Sequence, residues 1–414
     1  MNTKKSVVFG YGARGRIYSA FTQKYPEKFE LVAIIENDPE RVKQAKAIFE
    51  NVSVYTDYRI FLADKVEADI VAIATQDDQH MEHAIEMMGA GYDLLLEKPI
   101  ANKKEDCEAI YEISKQLNRK VIVCHVLRYS PFYSTLKRII DSGKIGEVVS
   151  IHASENVGYY HYAHSYIRGP WRNKELSSPM ILAKCCHDMD ILRYLVGEEC
   201  SAVSSFGNLL YFNEENAPDG CSKYCSECKY EDCIYKAQKL YLDEKSRWCA
   251  SYFAPIDASD EEILHLLKHS QYDKCVFKND NNVVDHQVTV MQFKNGATAC
   301  HTMSAFSKEI YRDIKILATR AEVVGVMEDN KIEIRYFGGE VETVNIDVSS
   351  ADVGGHNGSD YFMMCSLYNE LNGEPAEGIT YLEASVESHL MCFAAEESRL
   401  NGGAAVKIKN MDIN

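Results

Sequence analysis

The 414-residue sequence has no hydrophobic run long enough to cross a lipid bilayer, and it is poor in basic residues. Its 45 Lys and Arg are outnumbered by 62 Asp and Glu, which gives a formal net charge of −17, and the acids are spread along the chain. Nucleic acids and anionic membrane surfaces bind clustered Lys and Arg. The composition therefore predicts no nucleic-acid partner and no membrane partner, although a small anionic ligand can still bind at a helix N-terminus.

A secretion signal is also lacking, because the apolar stretch after the basic MNTKK is only VVFGYG. We therefore expect a cytoplasmic protein. The 14 cysteines are not expected to form disulfides in that reducing compartment.

The first 125 residues alternate short apolar runs with helical patterns. The runs are continuous rather than alternating, which is typical of parallel strands that helices cover on both faces. They are SVVFG (6–10), ELVAIIE (30–36), DIVAIAT (69–75), DLLLE (93–97) and KVIVCH (120–125). This pattern predicts an α/β fold whose residues 1–125 form an N-terminal Rossmann dinucleotide-binding domain.

Residues 126–414 show a different pattern, in which several strand-like runs alternate apolar and polar positions. This alternation predicts a C-terminal α+β domain with a large, mostly antiparallel open sheet that is covered on one face. The segment 213–280 is polar and rich in Cys and Tyr, so we interpret it as an insertion. Apolar residues at three- and four-residue spacing predict one amphipathic helix over 180–196.

The first predicted strand runs into a G-x-G-x-x-G turn, Gly10-Tyr11-Gly12-Ala13-Arg14-Gly15, which opens a helix. In this context the glycines permit the tight turn, the approach of a pyrophosphate and close helix–strand packing. Glu36 ends the second strand, where a carboxylate binds ribose hydroxyls and repels a 2′-phosphate. NAD is thus favoured over NADP, with Arg14 or Arg41 as the residues that would pair with a 2′-phosphate. The alternative is a glycine-rich turn without a ligand.

Several further stretches resemble the Gfo/Idh/MocA oxidoreductases, a family that includes glucose–fructose oxidoreductase and inositol dehydrogenase. The resemblance depends mainly on three stretches: Thr75-Gln76-Asp77-Asp78-Gln79-His80, Glu97-Lys98-Pro99, and His187-x-x-Asp190. Weaker likenesses are Trp171-Arg172, Gly354-Gly355-His356 and Ala394-Ala395-Glu396-Glu397-Ser398.

The resemblance implies an active site between the two domains and homodimers or homotetramers formed through the face of the C-terminal sheet. It also implies hydride transfer between a nicotinamide cofactor and a hydroxyl or carbonyl of a sugar, sugar derivative or cyclitol. Lys98 and His187 would be the catalytic residues that handle the proton. Thr75, Gln76, His80, Glu97 and Lys98 would join the glycine turn and Glu36 in binding the cofactor. The family also contains NAD-dependent glycosidases and non-catalytic regulators, so both remain alternatives.

A substrate set follows from the same resemblance. It comprises Arg128, Tyr129, Trp171, Arg172, Lys184, His187, Asp190 and His286. Turn or surface roles are the alternatives for Arg128, Tyr129, Trp171, Arg172 and His286, and a structural role is the alternative for His187. Many family members carry Asp four residues before this histidine, where this chain has Ala183. We expect Lys184 instead to lower the pKa of His187 and to bind an acidic or polyhydroxylated substrate.

Cys221, Cys225, Cys228 and Cys233 form a C-x₃-C-x₂-C-x₄-C pattern within the insertion. Four thiols at such spacing fit a structural zinc site or, less well, an iron–sulfur cluster. Four free thiols are the alternative. No catalytic role is expected for them.

Overall fold

The computed structural model of the chain describes residues 1–255, 257–349 and 358–408, and two β-sheets organise it. The first is a six-stranded parallel sheet in the order β3-β2-β1-β4-β5-β6. Its strands are β1 (Lys4–Phe9), β2 (Phe29–Ile35), β3 (Ser53–Tyr55), β4 (Ile70–Ile73), β5 (Leu94–Leu96) and β6 (Val121–Val123). β4, β5 and β6 are buried at every position, as the continuous apolar runs predicted.

Five helices connect these strands and cover the sheet. They are α1 (Ala13–Lys24), α2 (Pro39–Ile48), α3 (Tyr58–Asp64), α4 (His80–Gly89) and α5 (Lys104–Gln116). The start of α2 has a local cause, since the Asp38 carboxylate accepts hydrogen bonds from the N–H groups of Glu40 and Arg41, and Pro39 occupies the first turn. The predicted Rossmann arrangement is confirmed.

The second sheet has nine strands in the order β14-β13-β12-β11-β7-β10-β9-β8-β15. They are β7 (Val148–Asn156), β8 (Cys200–Asn208), β9 (His286–Phe293), β10 (Thr298–Ser304), β11 (Tyr311–Ala318), β12 (Ala321–Val326), β13 (Lys331–Tyr336), β14 (Val341–Asn345) and β15 (Val406–Lys407). All neighbours are antiparallel except β7 and β10. The predicted mostly antiparallel sheet is therefore confirmed.

Further helices follow α5 along the chain. They are α6 (Pro131–Asp141), α7 (Tyr159–Tyr162), α8 (Met180–Ala183), α9 (Cys186–Val196), α10 (Ala237–Leu240), α11 (Asp260–Leu267), α12 (Ser359–Leu371) and α13 (Leu382–Leu400). The last two return to the first sheet. Met363 and Leu367 of α12 share a hydrophobic core with Val8 and Phe21, and α13 packs against both α5 and α9. The end of the chain therefore links the two sheets.

Two expectations differ from the structure. The single helix predicted over 180–196 is interrupted at Lys184 and Cys185, and α8 and α9 flank the break. The insertion was expected to be a polar loop, but Tyr241, Cys249 and Leu267 are fully buried in the core of the second sheet. Gly354-Gly355-His356 lies outside the described residues. Among the described helices, none combines the length and the apolar character that a membrane span requires.

Candidate active site in the interdomain cleft

A cleft of about 1860 Å³ runs from the carboxyl ends of the first sheet to the helices and insertion beside the second. In doubly wound α/β proteins, ligands bind at this edge of the sheet. The glycine turn and Glu36 line one end of the cleft, which we call the cofactor end. Lys98, Lys184 and His187 line the other, which we call the substrate end.

Steric constraints explain the glycine turn at the cofactor end. Gly10 has φ +95°, and a Cβ there would lie 2.5 Å from the carbonyl oxygen of Ala74. A Cβ on Gly15 would lie 1.9 Å from the Gly10 carbonyl oxygen. A Cβ on Gly12 would instead make only an ordinary contact of 3.6 Å with Arg41 Nη1, and Gly12 caps α1 without a side-chain hydrogen bond. This leaves the first N–H groups of α1 directed at the cleft, an arrangement that fits a pyrophosphate.

The Glu36 carboxylate is held rigidly at the end of β2. One oxygen accepts a hydrogen bond from the Tyr11 N–H at 2.7 Å, and the other accepts from the N–H groups of Asn37 and Asp38, both at 2.9 Å. Arg41 Nη1 lies 3.7 Å from this carboxylate. A fixed carboxylate here suits the two hydroxyls of an adenosine ribose.

Glu97 links the glycine turn to Lys98 through hydrogen bonds. Its carboxylate accepts hydrogen bonds from Arg14 Nε at 2.6 Å, from the Tyr18 hydroxyl, and from the backbone N–H of Lys98 at 3.0 Å. Burial would raise the pKa of Glu97, but Arg14 and Tyr18 outweigh it and hold the pKa below its usual value. Arg14 also pairs with Asp360 at 2.5 Å, so this cation balances carboxylates beneath the cleft.

Lys98 crosses the cleft. Its ammonium donates a hydrogen bond to the backbone carbonyl of Ala183 at 2.9 Å, and the Lys98–Pro99 peptide bond is cis. Ala183 stands where the sequence resemblance led us to expect Asp. It contacts Lys98 through its backbone carbonyl group and not through a side chain. Lys98 thus extends from the end of β5 to the segment that carries His187.

His187 lies in the first turn of α9, and its ring faces the cleft while the residue is only 5% exposed. The ring of His125 packs edge-on behind it at 5.8 Å between centroids. Burial lowers the pKa of His125 to about 4. His125 is thus neutral at physiological pH and adds no charge behind His187.

Lys184 is part of a buried charge network. It forms an ion pair with Glu155 on β7 at 3.2 Å, and Arg312 on β11 pairs with both Glu155 and Asp188. Lys184 and Arg312 both line the cleft. The positive charge predicted at Lys184 is therefore balanced by Glu155, whose position in an alternating strand gave no sign of this role.

Aromatic side chains form much of the remaining wall. Trp171 donates a hydrogen bond from Nε1 to Asp77 Oδ2 at 3.3 Å, and both residues line the cleft. Burial raises the pKa of Asp77, against the opposing effects of His80 and Lys98. The insertion contributes Trp248 and Tyr252 to the same wall. Its Cys- and Tyr-rich composition did not predict this, because nothing local relates residue 248 to residue 98.

The other predicted site residues lie elsewhere. Arg128 and Asp190 bind each other in the interior through two hydrogen bonds of 2.7 and 2.6 Å. Arg128 holds the pKa of Asp190 low, against the effect of burial. Since the guanidinium of Arg128 and the carboxylate of Asp190 bind each other, we no longer propose these two residues as substrate residues.

Four more predicted residues are not among those that line the cleft. Tyr129 bonds to Thr380 at 3.1 Å, and Arg172 bonds to Asp280 at 2.8 Å. His286 contacts Asp285 at 2.9 Å. His80 contacts the carbonyl oxygen of Pro99 at 2.7 Å, which makes it a support for the Glu-Lys-Pro turn.

Five of the six cysteines of the insertion line a single cavity of about 10 Å³, which we call the cysteine pocket. They are the four of the C-x₃-C-x₂-C-x₄-C pattern and Cys275. That volume is close to the space one water molecule needs. A different trio of possible metal ligands, Cys185, Asp188 and His301, has donor atoms within 4.8 Å of one another. Arg312 contacts this Asp188 at 2.7 Å, and a fixed cation there opposes a metal ion.

Comparison with known proteins agrees with this architecture. Residues 4–125 match the family model described as "Oxidoreductase family, NAD-binding Rossmann fold", and residues 137–388 match its companion, "Oxidoreductase family, C-terminal alpha/beta domain". The chain belongs to this Gfo/Idh/MocA family and is an NAD-dependent oxidoreductase.

Individual relatives are distant. The Bacillus subtilis (strain 168) protein YteT, whose name gives its class as oxidoreductase, is 24% identical over 88% of each chain. Inositol 2-dehydrogenase 2 of Saccharopolyspora erythraea is 32% identical over 41% of this chain and 47% of its own. The structure of levoglucosan dehydrogenase in complex with NADH and levoglucosan has a TM-score of 0.73 and 19% identity, covering 99% of this chain and 100% of that one.

Proposed function

We propose that the protein is a dehydrogenase that transfers a hydride between NAD and a hydroxyl or carbonyl carbon of a sugar, sugar derivative or cyclitol. The observation that carries this proposal is the contact of Lys98 with Ala183. This contact supports the proposal because it brings the Lys98 ammonium to the segment that carries His187, in a cleft whose other end suits a dinucleotide.

The chain's own residues then have distinct roles. The glycine turn and Glu36 bind and orient the dinucleotide, which supplies the hydride acceptor when bound. Lys98 donates a hydrogen bond to the reacting oxygen and stabilises negative charge that develops on it. His187 takes the hydroxyl proton in oxidation and returns it in reduction.

The substrate end suits a neutral polyhydroxylated ring. Trp171, Trp248 and Tyr252 offer apolar faces, while Asp77 and Lys184 offer polar groups for hydroxyls. Since Glu155 balances Lys184, we propose a neutral ring rather than a strongly acidic one. The names of two relatives, an inositol dehydrogenase and levoglucosan dehydrogenase, support this substrate class.

A cofactor-coupled screen tests the proposal. The protein is incubated with NAD or NADP and a panel of free sugars, anhydrosugars, sugar acids, cyclitols and glycosides, and both NADH formation and glycoside cleavage are followed. We expect NADH formation with a neutral ring substrate and a preference for NAD. Cleavage without net NADH would replace the proposal with a glycosidase that oxidises its sugar transiently. NAD binding without turnover of any substrate would favour a regulator.

We further propose that the open face of the second sheet forms a homodimer or homotetramer. Val149, Phe206, Val288 and Val290 on this sheet are substantially exposed, which supports an apolar interface. Sedimentation of the protein and of Val288→Asp would test this, with dissociation expected for the variant. We also propose that the cysteine pocket holds a structural zinc ion, and that the protein works in the cytoplasm.

A further inference from the structure

The cysteine pocket contains five thiols, and one of them comes from outside the C-x₃-C-x₂-C-x₄-C run. Cys275 reaches the pocket because residues 224 and 274 pair as an isolated antiparallel bridge. The N–H of Cys275 donates to the carbonyl oxygen of Lys223 at 2.9 Å. Cys275 and Cys225 are the most buried of the five, each about 6% exposed. The pocket is therefore closed by a residue far along the chain from the other four.

A buried cation adjoins these two cysteines. Arg168 is fully buried, and its guanidinium donates to the carbonyl oxygens of Lys274 and Tyr235, each at 2.7 Å. Its Nη2 also lies 3.5 Å from Cys225 Sγ. The remaining nitrogen, Nη1, is buried without a hydrogen-bond partner in the described part of the chain.

Among the described residues, Arg168 forms no ion pair with a carboxylate, since its guanidinium donates to two carbonyl oxygens and contacts one thiol. The other two buried arginines, Arg128 and Arg312, each pair with at least one carboxylate. A buried charge is costly unless an opposite charge compensates it. Neutral thiols around Arg168 would not compensate its buried positive charge, whereas negatively charged thiolates would.

We infer that the pocket is a zinc–thiolate site in which Cys275 and Cys225 are ligands, with two of Cys221, Cys228 and Cys233 completing the tetrahedron. Each of the four thiols loses one proton when the ion binds. Zn²⁺ with four thiolates has a net charge of −2, and this charge faces the Arg168 guanidinium. No three of the five sulfurs lie within 4.8 Å of one another in the described residues, so binding draws them inward around the small cavity.

The site also supports one wall of the cleft. Arg168 ends the helical segment Ala163–Arg168, and two residues of that segment, Ser165 and Tyr166, line the cleft. A metal site that fixes the position of Arg168 therefore also stabilises the wall of the substrate end. The glycine turn is separate from this wall, because it follows a strand of the first sheet. This inference rests on the zinc ion proposed above but not on the dehydrogenase reaction.

Metal analysis tests the inference. The full-length protein is prepared anaerobically from zinc-supplemented cells and its metals are measured by mass spectrometry. We expect one zinc per chain in the unaltered protein and less than a tenth of that in Cys275→Ser. The control is Cys300→Ser, which should keep one zinc per chain because Cys300 is a partly exposed cysteine outside the pocket. Full zinc in Cys275→Ser would overturn the inference while leaving a site made of the four clustered cysteines. Iron in place of zinc, or no metal in the unaltered protein, would overturn both.

The role of Arg168 has its own readout. Adding zinc to chelator-treated protein should raise the midpoint of thermal unfolding in the unaltered chain. The rise should be smaller in Arg168→Met, because that variant has no buried positive charge for the zinc–thiolate site to compensate. An equal gain in both would contradict the charge argument. NAD affinity, measured by calorimetry, should be unchanged in Cys275→Ser, which checks that the variant is folded at the cofactor end.

Discussion

The two ends of the cleft are built in different ways. The cofactor end comes from one short stretch of chain, in which the glycine turn and Glu36 lie within residues 10–36. The substrate end is assembled from Lys98, His187, Trp248 and Arg312, which come from four separate parts of the chain. A site made within one βαβ unit depends on local backbone geometry, whereas a site made between elements depends on how the two sheets pack. The predictions below separate these two kinds of site.

Replacing Lys98 with Met should have the largest effect and should be confined to the substrate end. We expect turnover to fall by about 10²- to 10⁴-fold, because the group that stabilises the reacting oxygen is lost. NAD affinity measured by calorimetry should change little, since Glu36 and the glycine turn remain. Turnover within about threefold of the unaltered enzyme would refute the catalytic role of Lys98.

Replacing Asp190 with Ala should weaken the fold. The change leaves the buried Arg128 without its partner, so the free energy of unfolding should fall by about 3–5 kcal/mol. Urea titration would measure this loss. Substrate KM, determined well below the new melting temperature, should stay near its original value. A large rise in KM with unchanged stability would return Asp190 to the set of substrate residues.

Acidification should destabilise the interior behind the substrate end. An unfolded histidine titrates near 6.5, whereas burial lowers the pKa of His125 to about 4 and that of His389 to about 3. At a pH between the folded and unfolded pKa values, the unfolded chain binds more protons than the folded chain does. The free energy of unfolding therefore falls as the pH drops from about 7 to 4. His125 alone accounts for about 3 kcal/mol of this loss. In His125→Asn, urea titrations at several pH values should give a shallower slope, and an unchanged slope would contradict the assignment.

Replacing Trp248 with Ala should have the smallest effect of the four. Loss of one aromatic face should raise KM for the ring substrate about tenfold, equivalent to about 1.4 kcal/mol, and should leave NAD affinity unchanged. Arg172→Ala is the matched control, because Arg172 lies next to a cleft residue but bonds to Asp280. If both variants changed KM equally, the aromatic wall would not be a substrate surface.

Prediction from the sequence was accurate where structure is local. Most strands of both sheets follow from continuous or alternating hydrophobicity, and the glycine turn follows from the steric demands at Gly10 and Gly15. Three strands were not predicted. β3 and β15 were missed because three and two residues carry too weak a pattern, and β12 (AEVVGV) was missed although it has six residues. The break at Lys184 was missed because the apolar spacing of a helix continues through it.

The amino-acid sequence by itself determined the two sheets, the dinucleotide turn and the position of Lys98 at the end of a strand. These depend on backbone sterics and on hydrophobic periodicity over a few residues. Only the tertiary structure decided that Arg128 binds Asp190, that Glu155 balances Lys184, that Trp248 faces Lys98 and that Cys275 joins four distant cysteines. The partner of a buried charge or thiol depends on how whole helices and strands pack together. The spacing of residues along the sequence does not show which partner that packing brings into contact.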